Sequence, residues 1–480
     1  MNVTTVVRAD NWWGSKLPPL FAVAYAQILL LGVGPWHALA MMVAVLVVTG
    51  GATGAYGHVV NDIFDLEVDR RIGKTNSMAL LPVAARWAIC SGFAVMALLP
   101  ALLVPYPPVT TALVAVELLL PALYSIPPVR LKERGMWGVF ADAAGAHVVP
   151  ALIVVTAFAG GWPTEQSWFV VAVVLWSIAL GLKGILWHQR LDREDDLRAG
   201  ARTFVASSDP SAVARILGRL VYPIEVASCM ALVTLVAPAA PLVAVVFLLA
   251  VALDLTKRGL GWSYVFDPRA PELRRRHAPL VSNYFYELGF PLALAVHLTL
   301  RDLRFAILLA VQLAIFSGNL REQLADLCAV VDGIRRCRAR AENLRRFGWV
   351  LEVHSPAAAS LEAASGGGVR VEVGAVGEQS WQVKLVRGDV PIASGHRYKV
   401  RFEVRAETER SMTYCVVAGE EPWHTLGLSE EIVITPDWIG IVDRFVASAS
   451  DERGEICALL GQSRGAVELK SFSFDEEVAV

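Results

Sequence analysis

The residues with the most chemical promise are carboxylates at the end of an apolar run. In Asn61-Asp62-Ile63-Phe64-Asp65-Leu66-Glu67-Val68-Asp69-Arg70, the aspartates Asp62, Asp65 and Asp69 are spaced by three and then four residues. On a helix this spacing puts all three carboxylates on one face. Like charges so placed repel one another and favour a hard cation among them. Mg2+ commonly bridges a carboxylate to a phosphate oxygen, so the stripe points to a metal-bound diphosphate at a membrane edge. A second stretch runs from His188 to Gly200 and sets Gln189, Asp192 and Asp196 at the same three-then-four spacing, again after an apolar run. One acidic stripe alone is ordinarily a solvated helix end. Two of them, each closing a span, read as two metal-binding walls of one site.

Membrane spans are the elements that must position these walls. The chain has 480 residues, 55% of them hydrophobic, and a mean hydropathy of +0.50. The apolar residues are concentrated in the first two thirds. A spanning helix needs about 20 mostly apolar residues. Nine runs qualify or come close: 17–34, 36–60, 87–105, 109–124, 139–158, 168–187, 217–236, 242–255 and 284–300. The second delivers the first acidic stripe and the sixth delivers the other. A formal net charge of −2 argues for no nucleic-acid partner. The six cysteines are scattered without CxxC spacing, so neither a zinc site nor a disulfide framework is expected. Residues 1–19 lack the pattern of a cleavable signal peptide.

Lys and Arg follow the even-numbered spans: Arg70, Arg71 and Lys74; Arg130, Lys132 and Arg134; Arg190, Arg193, Arg198 and Arg202; then Lys257, Arg258 and Arg274-Arg275-Arg276. The loops after the third, fifth and seventh spans carry almost none. The positive-inside rule therefore makes the even loops cytoplasmic, and both acidic stripes fall on that side with the basic loop from Tyr124 to Arg134, where Pro127 and Pro128 break the helix. Ionisable residues inside spans, Glu117, Asp142, Lys183 and Glu225, are expected to face the bundle interior. Lys183 either reaches a diphosphate or snorkels toward the interface. Asp142 and Glu225 either orient an acceptor or pair with neighbours. His188, four residues before Asp192, is a ligand or base, or an orienting residue at the interface. Trp12, Trp13 and Lys16 read as an interfacial belt and anchor. The short apolar run 305–317 leaves open which side of the membrane holds the rest.

Beyond it, residues 319–348 read as a basic helical linker. From 349 to 480 the pattern changes to alternation, as in Val369-Arg370-Val371-Glu372-Val373 and Tyr398-Lys399-Val400-Arg401-Phe402-Glu403-Val404-Arg405. Such runs are half-buried strands. Others are expected at 380–386, 411–417, 431–435, 438–447, 455–460 and 467–474. The whole reads as an all-α polytopic bundle of about nine transmembrane helices over residues 1–318, plus a C-terminal all-β jelly-roll-like sandwich.

The paired motifs give residues 1 to about 300 a resemblance to the UbiA-type intramembrane prenyltransferases. The carrying residues are Asn61-Asp62-x-x-Asp65-x-x-x-Asp69, Asp192-x-x-x-Asp196 followed by Gly200 and Thr203, and the loop Tyr124-Ser125…Pro128-x-Arg130-Leu131-Lys132. The resemblance implies Mg2+ held by Asp62, Asp65, Asp69, Asp192 and Asp196 and bridging to a prenyl diphosphate. It implies substrate contacts from Asn61, Arg70, Lys74, Tyr124, Arg130, Lys132, Lys183, His188 and Gln189. The implied reaction ionises an allylic C–O bond, and an acceptor of unknown identity captures the cation. Two positions depart from the family pattern. Ser77 stands where the family often has the arginine of an Asn-Arg-Pro step, and Gln189 where many members have another aspartate. The C-terminal region resembles carbohydrate-binding modules of the CBM4/9 type. Trp381-Gln382-Val383-Lys384-Leu385, Gly395-x-x-Tyr398-x-Val400-x-Phe402, Leu426-Gly427-Leu428, Trp438 and Phe445 carry that resemblance, mostly as core positions, and Trp423 and His424 offer a sugar-stacking loop.

The leading expectation is an Mg2+-dependent prenyltransferase embedded in the cell membrane. Alternatives are transfer of a phosphosugar to a polyprenyl phosphate, or a non-enzymatic membrane anchor that displays a glycan-binding module. The intact first motif argues against the anchor. A transporter fits less well, since no paired half-repeat with interrupted helices is evident.

Overall fold

The structure, a computed structural model, describes residues 7–9, 12–104, 106–260, 284–364, 367–419 and 422–477. The basic triplet Arg274-Arg275-Arg276 lies outside the described residues. The chain divides into two units, Met1–Val330 and Val331–Val480.

The described part of the first unit is helical. α1 (Trp13–Leu31) precedes α2 (Pro35–Thr49), which passes through a π-helical turn, Gly50–Tyr56, into α3 (Gly57–Ile72). α4 (Val83–Leu103), α5 (Pro108–Ser125) and α6 (Met136–Ala143) follow, and a second π turn, Ala144–Val148, joins α6 to α7 (Val149–Ala159). α8 (Ser167–Leu191) leads into the short α9 (Arg193–Ala199). α10 (Pro210–Ile216) and α11 (Tyr222–Val236) are joined by a third π turn, Leu217–Val221, and α12 (Pro241–Gly259) comes next. After a fourth π turn, Phe285–Gly289, come α13 (Phe290–Arg301), α14 (Ala306–Ile315) and α15 (Ser317–Phe347).

Seven described helical stretches are long and apolar enough to cross a membrane, and they coincide with the first seven expected spans. The eighth falls on the 19-residue α12, whose Asp254, Lys257 and Arg258 dilute its apolar end. The ninth falls on the π turn and α13, helical from Phe285 to Arg301. The run at 305–317 is not a straight continuation into the basic stretch: residues 303–315 and 317–335 meet at 71°. The basic stretch itself is the 31-residue α15.

Small residues and buried polar pairs bring the helices together. Gly181 on α8 lies so close to Ala143 on α6 that a Cβ there would sit 2.7 Å from the Ala143 Cα. Thr110 on α5 donates to Thr156 on α7 at 2.8 Å. Trp176, fully buried, packs edge-on to Tyr286 at 4.9 Å. Such polar links matter because apolar surface alone gives helices little reason to associate in lipid.

The second unit folds into ten strands. β1 (Val350–Val353), β4 (Val383–Ile392), β9 (Asp451–Leu459), β6 (Arg410–Val417) and β7 (Thr425–Ile434) form one sheet in that order. The other runs β2 (Ala358–Ala363), β3 (Val369–Ala375), β10 (Gly465–Glu477), β5 (Arg397–Ala406), β8 (Ile439–Val446). All recorded pairings are antiparallel. β5 shows why a sandwich forms: Tyr398, Val400, Phe402, Val404 and Ala406 face the core while Arg397 and Arg401 face out. Two strands, β1 and β2, were not expected; β2 is alanine-rich, and alanine weakens the β signal. Residues 380–382 are a 3-10 turn rather than a strand, so Trp381 is a correction: it is 50% exposed and sits against His354 instead of entering the core. Trp438 lies across the Lys470 ammonium at 3.9 Å and the Arg405 guanidinium at 4.8 Å. Trp423 is 52% exposed.

Phe402 is 3% exposed and meets Tyr414 edge-on at 5.1 Å. Phe402→Ala is expected to destabilise this unit by about 3–5 kcal/mol, read from denaturant unfolding of the full chain followed by its β-sheet signal.

Candidate active site

The first motif lies on α3, directly after the π turn Gly50–Tyr56. Such turns add a residue to the helix and recur at functional sites. Asp62 is fully buried, Asp69 is 8% exposed and Asp65 is partly open. α3 ends at Gly73, whose φ of 72° is left-handed. There Gly73 N donates to Arg70 O at 3.4 Å and Lys74 N to Asp69 O at 2.9 Å. This pair of bonds is a Schellman cap, which glycine permits without Cβ strain.

The second motif ends in the same way. Gly200 has φ 69°, Gly200 N donates to Leu197 O at 3.2 Å, and Ala201 N donates to Asp196 O at 2.9 Å. Each motif thus places its last aspartate three residues inside a glycine-capped end. The expected continuous stripe is corrected in one respect: α8 stops at Leu191, and Asp192 is the joint before α9, with φ −85° and ψ 1°. Backbone bonds from Asp192 N to His188 O (3.0 Å) and from Asp196 N to Asp192 O (2.8 Å) carry the helical turn across it.

The caps return the chain onto the carboxylates. Lys74 Nζ lies 3.2 Å from Asp192 Oδ2, joining the end of the first motif to the second. Thr203 Oγ1 donates to Asp196 Oδ2 at 2.8 Å. Burial holds Asp196 above the usual carboxylate range, and Asp192 adds to this, while the Thr203 bond and Lys74 act the other way. α9 also packs on α3, so the two motifs share one end of the bundle.

Asp65 is held from the loop between α5 and α6. Arg130 Nη2 lies 3.0 Å from Asp65 Oδ1, and Lys132 Nζ donates to the same carboxylate and to Asn61 Oδ1 at 2.9 Å. Ser125 Oγ donates to Asn61 Oδ1 at 3.2 Å. Burial pulls the Lys132 pKa down, and the Asp65 charge opposes that pull. Tyr124 lies on α5 next to Ser125, the residue that donates to Asn61. Asn76 donates to the Asp62 carbonyl at 2.9 Å and to Asp69 Oδ2 at 2.8 Å. Arg8 Nη2 lies 2.8 Å from Asp62 Oδ1, yet neither Asp62 oxygen receives an aligned hydrogen bond.

Most residues expected at the site converge here: Asn61, Asp62, Asp65, Asp69, Lys74, Tyr124, Arg130, Lys132, Asp192 and Asp196. His188 is 64% exposed and 3.8 Å from Asp192. Gln189 is buried and accepts from Val205 N at 3.2 Å, bracing the loop after the second motif. Arg70 is exposed. Lys183 is buried and donates to Glu225 Oε1 at 2.6 Å, with Tyr286 beside it, so Glu225 pairs with a neighbour. Arg8 and Asn76 are additions to the expected set. The Asp-x-x-x-Gly spacing at Asp69–Gly73 and Asp196–Gly200 was the sequence signal for the two caps. Trp12, expected in an interfacial belt, is a correction: it is 4% exposed and its indole covers Gly54 in the π turn.

Among the described residues no three carboxylate, histidine or cysteine side chains close around one point. The five aspartates each hold a different partner instead. The donor chemistry nonetheless fits Mg2+, which takes one or two carboxylates and completes its shell with phosphate oxygens and water. The two buried Asp62 oxygens without hydrogen bonds are suited to that role.

Lys183→Met alone leaves the buried Glu225 without its ammonium and is expected to cost about 3–5 kcal/mol. The double variant Lys183→Met/Glu225→Leu should regain most of that in thermal unfolding.

A model of the UbiA prenyltransferase family matches residues 17–267. A UbiA homologue from Archaeoglobus fulgidus, solved bound to DMAPP and Mg2+, is 18% identical over 66% of this chain and 99% of that one, with a TM-score of 0.39. The N-terminal cellulose-binding domain of Cellulomonas fimi β-1,4-glucanase C is 24% identical over 28% of this chain and 90% of that one, TM-score 0.24. A CBM4 structure is 15% identical over 27% and 86%, TM-score 0.25. No curated protein matches.

Proposed function

The chain belongs to the UbiA prenyltransferase family, and from that premise we propose that it moves an isoprenoid group from a prenyl diphosphate to an acceptor in an Mg2+-dependent reaction within the membrane. The observation that carries this reading is the Lys74–Asp192 bridge of 3.2 Å. It ties together two acidic motifs, on α3 and at the α8–α9 joint, whose spacing alone left their meeting open.

Asp62, Asp65, Asp69, Asp192 and Asp196 would hold the metal. Bound Mg2+ supplies charge neutralisation for the departing diphosphate. Lys74, Arg130 and Lys132 already stand at the carboxylates and add fixed positive charge where negative charge builds on the leaving oxygen. Asn61 and Asn76 orient the first motif through the bonds given above. Tyr124, beside Ser125 at the end of α5, would stand against the allylic carbon. The apolar bundle excludes water that would quench an allylic cation before the acceptor reaches it, and the isoprenoid tail lies along its helices. Under the positive-inside rule the diphosphate enters from the cytoplasmic side.

Membranes carrying the native chain should release diphosphate from a prenyl diphosphate when Mg2+ is present and stop when it is chelated. Asp65→Ala should lower that release by about a hundredfold or more. Equal release by the native chain and the variant would remove the reading.

A further inference from the structure

We infer that Arg8 is the diphosphate-binding arginine that position 77 does not provide. This rests on the reading of the site as one for a prenyl diphosphate. Ser77 sits directly after Asn76, and a serine hydroxyl cannot supply a cation there. Asn76 nevertheless reaches the first motif, binding the Asp62 carbonyl and the Asp69 carboxylate. A guanidinium arrives at the same aspartate from the other end of the chain, with Arg8 Nη2 2.8 Å from Asp62 Oδ1.

The segment that brings it is built to hold its place. Trp12 Nε1 donates to Val7 O at 2.9 Å, and Val7 and Trp12 are both buried. The Trp12 indole lies so close to Gly54 that a Cβ there would come within 2.3 Å of it. Val7 and Trp12, on either side of Arg8, are thereby tied together at the π turn that leads into the first motif. Arg8 itself has a left-handed φ of 49°, a conformation that costs a non-glycine residue and is kept where the surroundings demand it. In the first unit, the described non-glycine residues with positive φ are Arg8 and Arg130, the two arginines on the first motif's carboxylates.

The pairing of Arg8 with Asp62 is also incomplete. It is an ion pair without an aligned hydrogen bond, and both Asp62 oxygens are buried. A guanidinium fork matches two phosphate oxygens far better than one misaligned carboxylate oxygen. When a diphosphate occupies the site, Arg8 turns its fork to it. The Arg8 side chain is 25% exposed, so the fork has room to turn.

The test is calorimetric titration of inorganic diphosphate, in Mg2+ buffer, into the purified full chain. Arg8→Ala should weaken binding about tenfold or more, with the native helical signal retained at the titration temperature. Arg8→Lys should keep part of the affinity, and Arg8→Ala/Ser77→Arg should recover at least half of the loss on a logarithmic scale; rescue by either supports the assignment. Asp65→Ala serves as the control for the site. Binding by Arg8→Ala equal to native while Asp65→Ala loses it overturns the role of Arg8 and leaves the site reading intact. Loss in Arg8→Ala that neither Arg8→Lys nor Ser77→Arg restores marks a packing role and overturns it as well. A native chain that binds no diphosphate overturns both.

Discussion

Five aspartates crowded at one end of a helical bundle repel one another, and each is met by a cation or a donor brought from another part of the chain. These pairings order the loops at this end. The N-terminal segment brings Arg8 to Asp62, the α5–α6 loop brings Arg130 and Lys132 to Asp65, and the turn after α3 brings Asn76 to Asp69 and Lys74 to Asp192. The turn after α9 brings Thr203 to Asp196. The two glycine caps are the backbone device that makes the last two returns possible, because a left-handed residue reverses the chain within one turn.

The same arrangement prepares the site for an anion. Arg130 and Lys132 are largely buried and oriented against Asp65, so under the proposed function these two cations would need little reorganisation to meet a diphosphate. Charge deeper in the bundle is kept out of this exchange. Lys183 is committed to Glu225 between α8 and α11, where an uncompensated ammonium would be costly in a low-dielectric interior.

The β-sandwich follows a separate logic. Its core is set by alternation, interrupted by register irregularities in the β2–β3, β4–β9, β6–β7 and β5–β10 pairings, the last between Lys470 and Ser473. Beyond it Phe474 still stacks on Tyr398 at 5.2 Å, so the shift leaves the aromatic packing of that sheet in place. Trp381 left the core because the segment preceding β4 is a 3-10 turn, a local choice that the strand pattern of its neighbours did not disclose.

Much of the molecule was legible from residue order alone. Apolar runs located the first seven spans, alternation located eight of the strands, and the three-then-four spacing of Asp62, Asp65 and Asp69 and of Gln189, Asp192 and Asp196 located both motifs, because each of these signals repeats within a few residues. Ala358–Ala363 escaped notice because alanine marks a strand weakly. What the order of residues could not assign was which cation meets which carboxylate. Arg130 and Asp65 are 65 positions apart, and Lys74 and Asp192 are 118 apart. Any of several basic residues carries the right charge for either. Only the packing of α3 against α5 and α9 brings particular ones within reach, sends Lys183 inward to Glu225, and draws Arg8 under the anchored Trp12, because Coulomb attraction selects partners by distance and distance is a property of the folded chain.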